Sequence, residues 1–157
     1  QSAEAQGLVP VSYLDGEDEW AGFICCRMFT TREKLEANRD AYVAALKANI
    51  RAYELMQTNE DETIKYALQE LETDEDTIRS QVYEYGHIGF SPNPDVKDTD
   101  QFFQAMVDIG YSEGNVDMKD YIDPTVFEDA LNELLQEDPD NEVYLQLQAE
   151  DQATNQD

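Results

Sequence analysis

The chain has 157 residues, long enough to bury a core without staples, and its 41% hydrophobic and 29% charged residues describe a folded protein and not a disordered one. Its 36 Asp and Glu against 10 Lys and Arg give a formal charge of −26 at pH 7, which repels nucleic acid and anionic lipid. No apolar run reaches the roughly 18 to 20 residues of a membrane span. The only two cysteines are adjacent and there is one histidine, which excludes a disulfide framework and the common zinc sites.

The start, Gln1-Ser2-Ala3-Glu4, has neither an initiator Met nor a signal-peptide pattern, so an upstream portion is expected. Residues 8–14 (LVPVSYL) and 22–30 read as two extended segments separated by the acidic turn 15–19. Pro10 lacks a backbone donor and places the first at a sheet edge. Thr30 with Glu33 has the form of a capping box and predicts a short helix ending near Asn38. From Arg39 to Gln57, Tyr42, Val43, Leu46, Ile50 and Tyr53 recur at three- and four-residue spacing without Gly or Pro, which predicts a long amphipathic helix.

Asn59 is placed to cap a helix over residues 60–72 with Ile64, Ala67, Leu68 and Leu71 inward, and Asp74 to cap another over 75–85 with Ile78, Val82 and Tyr85 inward. Between His87 and Asp98, Gly89, Pro92 and Pro94 forbid a helix and predict an ordered connector. Asp98 or Thr99 then caps a helix with the stripe Phe102, Phe103, Met106, Val107 and Ile109, closed by Gly110. Asp123 before Pro124 opens another, with Val126, Phe127, Ala130, Leu131 and Leu134 inward. Residues 1–136 are read as the folded portion and 137–157 as an acidic polar tail whose last ten residues fray. Asp138, Asp140 and Glu142 have the opening spacing of a calcium loop. That candidate fails because Val143 and Ala149 stand where Gly and a bidentate Glu are needed.

The order of these elements resembles the nitrate, sulfonate, taurine and thiamine-precursor binding proteins of bacterial ABC importers. The resemblance is carried by residues 23–27 (FICCR), 35–42 (LEANRDAY), 45–53 (ALKANIRAY), 91–95 (SPNPD), Gly110-Tyr111 and Ile122-Asp123-Pro124. It runs from about residue 7 to 135 and corresponds to about the C-terminal half of a member. It implies an α/β chain, helix-dominated in this portion, belonging to a two-lobed type II periplasmic-binding-protein fold that captures a small organic or anionic solute between its lobes. It also implies an extracytoplasmic location, in the periplasm or on a lipid anchor, permease and ATPase partners, no cofactor and no chemistry.

The ligand-binding candidates are Tyr13, Trp20, Cys25, Cys26 and Arg27. Arg27 suits a planar carboxylate or sulfonate and equally a surface ion pair with an acid; the two aromatic residues suit the wall of a small-molecule cleft but more often simply pack; the cysteines read first as small buried hydrophobes. His87 is the natural general base of an enzyme, but nothing in the sequence partners it. Two further functions stand beside the solute binder. One is an enzyme of the thiamine-pyrimidine-synthase type, disfavoured by the short cysteine run. The other is a helical module that turns an acidic face to a basic partner.

Overall fold

Side-chain oxygens decide where most of the helices begin. Thr31, Asn59, Asp74, Asp95 and Asn141 each accept a backbone N–H from the first turn of the helix they precede, so donors that helix geometry orphans are satisfied locally. The resulting elements are α1 (Arg32–Ala37), α2 (Arg39–Thr58), α3 (Glu60–Glu70), α4 (Glu75–Arg79), a π-helical turn (Ser80–Glu84), α5 (Val96–Asp108), a 3₁₀ turn (Met118–Asp120), α6 (Thr125–Glu137) and α7 (Glu142–Thr154). The structure is a computed structural model, and it describes residues 6–9, 11, 26–84 and 90–155.

The α/β expectation, and with it the type II periplasmic-binding-protein fold, is overturned. Every regular element among the described residues is helical and none is a strand. The described part of the second extended segment, 26–30, has no ladder partner among the described residues, and Met28 and Phe29 are 50% and 94% exposed where a sheet strand would bury one face. An extended segment without such a partner is not stable as sheet.

The chain divides into two compact units, Gln1–Cys26 with Leu55–Ser91 and Arg27–Glu54 with Pro92–Asp157. The second contains an apolar core. Val43 and Ile50 of α2, five residues of α6 and Tyr144 and Leu147 of α7 form one buried cluster, against which Leu35, Tyr42, Leu46 and Tyr53 pack half-buried. On α6, Val126, Phe127, Ala130, Leu131 and Leu134 are all buried, as their spacing predicts. Each such large side chain contributes about 1.5–3 kcal/mol by leaving water.

Helix α5 starts one turn earlier than expected. Asp95, in the left-handed region at φ 49°, accepts the Asp98 N–H at 3.0 Å, so Asp95 is the cap and Asp98 lies inside. Its apolar stripe is only half-covered: Phe103, Met106 and Val107 are partly buried, whereas Phe102 and Ile109 are exposed. Gly110 ends it at φ 75°, with Gly110 N–H bonded to Val107 O and Tyr111 N–H to Met106 O, the two bonds of a Schellman closure. Residues 148–154, read from composition as the start of a frayed end, are helical, because α7 carries its apolar positions into the core and buries Asp151.

Among the described residues, the first unit buries fewer apolar side chains. Asn59 and Asp74 start α3 and α4, which pack on each other and bury Ile64 and Ile78 respectively, while Leu68 and Leu71, expected inward, are exposed. Arg79 binds Glu60, Glu75 at 2.9 Å and Asp61 at 3.7 Å, tying the two helices at their polar edge.

Candidate functional site

Of the residues singled out in the sequence, Tyr13, Trp20, Cys25 and His87 lie outside the described residues. Cys26 is exposed. Arg27 is half-buried, and its Nε donates to the carbonyl of Pro94 at 2.7 Å. That carbonyl belongs to the SPNPD connector, whose side chains form a buried polar tie to the end of α7. Asn93 donates to Thr154 Oγ1 at 3.0 Å, and Asn155 donates to Asn93 Oδ1 at 2.7 Å and to Asp151 Oδ1 at 2.6 Å. Asn155 Oδ1 accepts the Val96 N–H at 2.9 Å. Burial and the neighbouring Asp95 push the Asp98 carboxyl up, with Lys97 and Arg27 pulling it back. These groups answer one another, so the arrangement fixes a connector against a helix end.

A groove of about 630 Å³ follows α2 and α6 in the same unit. It brings together three of the ten basic residues, Arg39, Lys47 and Arg51, an obvious place to look for an anion. Each already has a carboxylate: Arg39 meets Asp129 at 2.6 Å, Lys47 meets Glu133 and Glu137 at 2.8 Å, and Arg51 meets Glu137 at 2.5 Å. These hydrogen bonds raise the Arg39 and Lys47 pKa values further and hold Glu137 below its ordinary range. Nearby, the Tyr144 hydroxyl donates to Glu54 at 2.5 Å, and burial together with that bond pushes Tyr144 up to about 12. Neither feature leaves a nucleophile beside a base.

The first unit holds a different kind of concavity. A pocket of about 300 Å³ is lined by Met56, Gln57, Val82, Tyr83 and Phe90. Its walls follow from two caps. Asn59 stops α2 just after Met56 and Gln57, and Asp74 starts α4, which continues into the π-helical turn that bears Val82 and Tyr83. The Tyr83 hydroxyl donates to the Met56 carbonyl at 3.0 Å across 27 residues, so the ring is fixed at both ends. Gln57 and Phe90 are exposed at the rim.

Sequence reasoning missed all five of these residues as pocket-forming, and it read Val82 only as an inward helix position. The available signal was local: an Asn cap directly after Met56 and Gln57, and a run over 82–85 (VYEY) too aromatic for a plain surface helix. Among the described residues the lining combines Met56, Val82 and the Tyr83 and Phe90 side chains with the Gln57 carboxamide. No group of three or more His, Cys, Asp or Glu placed to hold a metal occurs among the described residues, and no helix there is long and apolar enough to cross a membrane. Comparison of the chain with protein-family models, with curated proteins and with solved structures finds no match.

Proposed function

We propose that this chain is a portion of the solute-binding component of an ABC importer, held outside the cell membrane, which captures a small organic solute and hands it to permease and ATPase subunits without chemistry. The reading keeps the function that the resemblance implies and drops the α/β fold. The observation that carries it is the order of helices: a Thr-capped turn, α2 running on directly behind Asn38, two further capped helices, the SPNPD connector, and α6 opening behind Asp123-Pro124. The pocket of the first unit supports it with a lining suited to a small molecule.

The test is thermal unfolding of the protein against a solute panel of sulfonates, nitrate, taurine, pyrimidines and flavins, each at rising concentration. A ligand that binds only the folded state stabilises it by about 2.7 kcal/mol at one hundred times its Kd. A midpoint that climbs with one solute class supports the reading; a panel that moves nothing sinks it.

A second reading, the acidic helical interaction module, is favoured by one observation. The exposed stretch 70–76 carries Glu70, Glu72, Asp74, Glu75 and Asp76 on a chain whose described elements are all helical. Association with a basic polypeptide that survives 0.3 M salt and is lost with charge-neutral substitutions in 70–76 would move the assignment there.

A further inference from the structure

We propose that the α3–α4 hairpin is an ionic-strength switch: its turn end, residues 70–76, opens in dilute salt and closes in concentrated salt, while Arg79 holds the opposite end shut. The inference goes beyond the solute-binding reading and does not rest on it.

Charge is placed unevenly along this hairpin. Residues 60–79 carry eight acids against Lys65 and Arg79. The end of α4 meets the start of α3, where Arg79 is bound by Glu60 and by Asp61 at 3.7 Å, and by Glu75 of its own helix at 2.9 Å. The turn end has no such clasp. Glu70, Glu72, Asp74, Glu75 and Asp76 fall within seven residues, all exposed, and of these only Glu75 meets a Lys or Arg among the described residues. All ten Lys and Arg residues of the chain lie among the described ones.

Local structure adds to the strain of like charge. Glu70 closes α3 at the negative end of its dipole, and no basic residue stands in that last turn. Apolar contact does not compensate. Ile64 and Ile78 are 3% and 5% exposed, but Leu68 and Leu71, nearer the acids, are 38% and 56% exposed. What orders the turn end is hydrogen bonding: Leu71 N–H to the Ala67 carbonyl at 2.9 Å, and the Asp74 carboxylate accepting from the Thr77 N–H at 2.8 Å and from its hydroxyl at 3.0 Å.

The reach of the charges decides how salt acts. In 0.01 M salt the screening length is about 30 Å, more than the roughly 25 Å that seven residues span when fully extended, so the five carboxylates repel as a group. In 0.5 M salt it falls to about 4 Å. The Arg79 pairs are contact pairs at or within that length and persist, whereas repulsion acting across the turn fades. Salt therefore relieves the turn end and leaves the clasp in place.

Amide hydrogen exchange at pH 7 in 0.01 M and 0.5 M KCl tests this, with each rate divided by that of the urea-unfolded chain in the same salt. Protection of residues 68–71 is expected to rise about tenfold between the two conditions, and that of residues 63–65, toward the clasped end of α3, by less than about twofold. Neutralising the turn end with Glu70→Gln, Glu72→Gln and Asp76→Asn together should give in 0.01 M KCl the protection that the native chain reaches only in 0.5 M. An equal neutralisation of exposed acids in the other unit, Asp108→Asn, Glu113→Gln and Asp120→Asn, should leave residues 68–71 as they were. Four results would overturn the inference: protection of 68–71 that ignores salt, an equal rise over 63–65 and 68–71, a turn-end variant that keeps the native salt dependence, or a control variant that acts as strongly as the turn-end one. The last would mean that net charge, and not its placement, sets the response.

Discussion

The two units solve the same problem by opposite means. In the second, α2, α6 and α7 bury a continuous apolar cluster in which Ile50, Ala130 and Leu147 have no exposure at all. In the first, α3 and α4 bury little beyond Ile64 and Ile78, and their order comes from caps, the Arg79 ion pairs and one tyrosine bond. The candidate pocket lies in the first unit, and the larger groove of the second is closed electrostatically by its own ion pairs.

That contrast breaks most directly in the core. Phe127→Ala should cost about 3–5 kcal/mol, because a 2% exposed ring leaves a cavity that packed helices close only partly. Ile64→Val in the first unit should cost about 0.5–1.5 kcal/mol. Urea denaturation measures both, and Ile50→Val in the second unit is the like-for-like control: a cost equal to that of Ile64→Val would mean that the units are packed alike at these sites. Next comes Asn141→Ala, which removes the α7 cap bonds to Val143 and Tyr144 and the 2.8 Å bond to Glu54. It should cost about 1–2 kcal/mol, against about 1 kcal/mol for Asn59→Ala at the start of α3. Hydrogen exchange should show the first loss spreading through the core and the second confined to α3.

Acidity separates the units more gently. Burial raises the carboxyls of Asp98 and Glu128 above their ordinary values of 3.8 and 4.5, with Asp95 pressing on the first and Asp151 on the second. The folded state therefore holds those protons more tightly than the unfolded chain. Its advantage is full below the ordinary value and is lost as pH rises through the raised one. Asp74 behaves in the opposite sense. Thr77, which donates to it from both its backbone and its hydroxyl, lowers its pKa, so its contribution is present above 3.8 and is lost as pH falls through the lowered value. Acidification from neutrality toward the carboxylate range should thus tighten α5 and α6 first, and stronger acid should loosen the start of α4; exchange protection followed against pH checks the order. Glu128→Gln, the smallest effect, should raise the unfolding midpoint slightly at pH 7 and leave it unchanged in acid.

Much of the helical skeleton was legible. The stripe of α6 appears in the structure residue for residue, α2 ends one residue from its expected end, and Asn59 and Asp74 cap as their side chains predict. The misses have separate causes. Leu68, Leu71, Phe102 and Ile109 have helical spacing and stay exposed, because periodicity says which residues share a face and not whether another element covers it. The cap of α5 was misplaced because a non-glycine residue at positive φ is rarely expected from sequence. The sheet was inferred from residues 8–14 and 22–30 and from a resemblance; pairing is a property of two segments, and neither segment reveals its partner.

The sequence by itself determined the starts of α3 and α4, the spacing of the apolar faces and the acidic surface, because a cap, a repeat of three or four residues and a net charge are read within a few neighbours. Only tertiary structure decided the rest. It tied Arg27 to the Pro94 carbonyl, paired three cations of α2 with three carboxylates of α6, and set Met56 and Tyr83, 27 residues apart, around one pocket. Those contacts depend on distances between remote segments, which are set by how the helices pack and by no local preference of the chain.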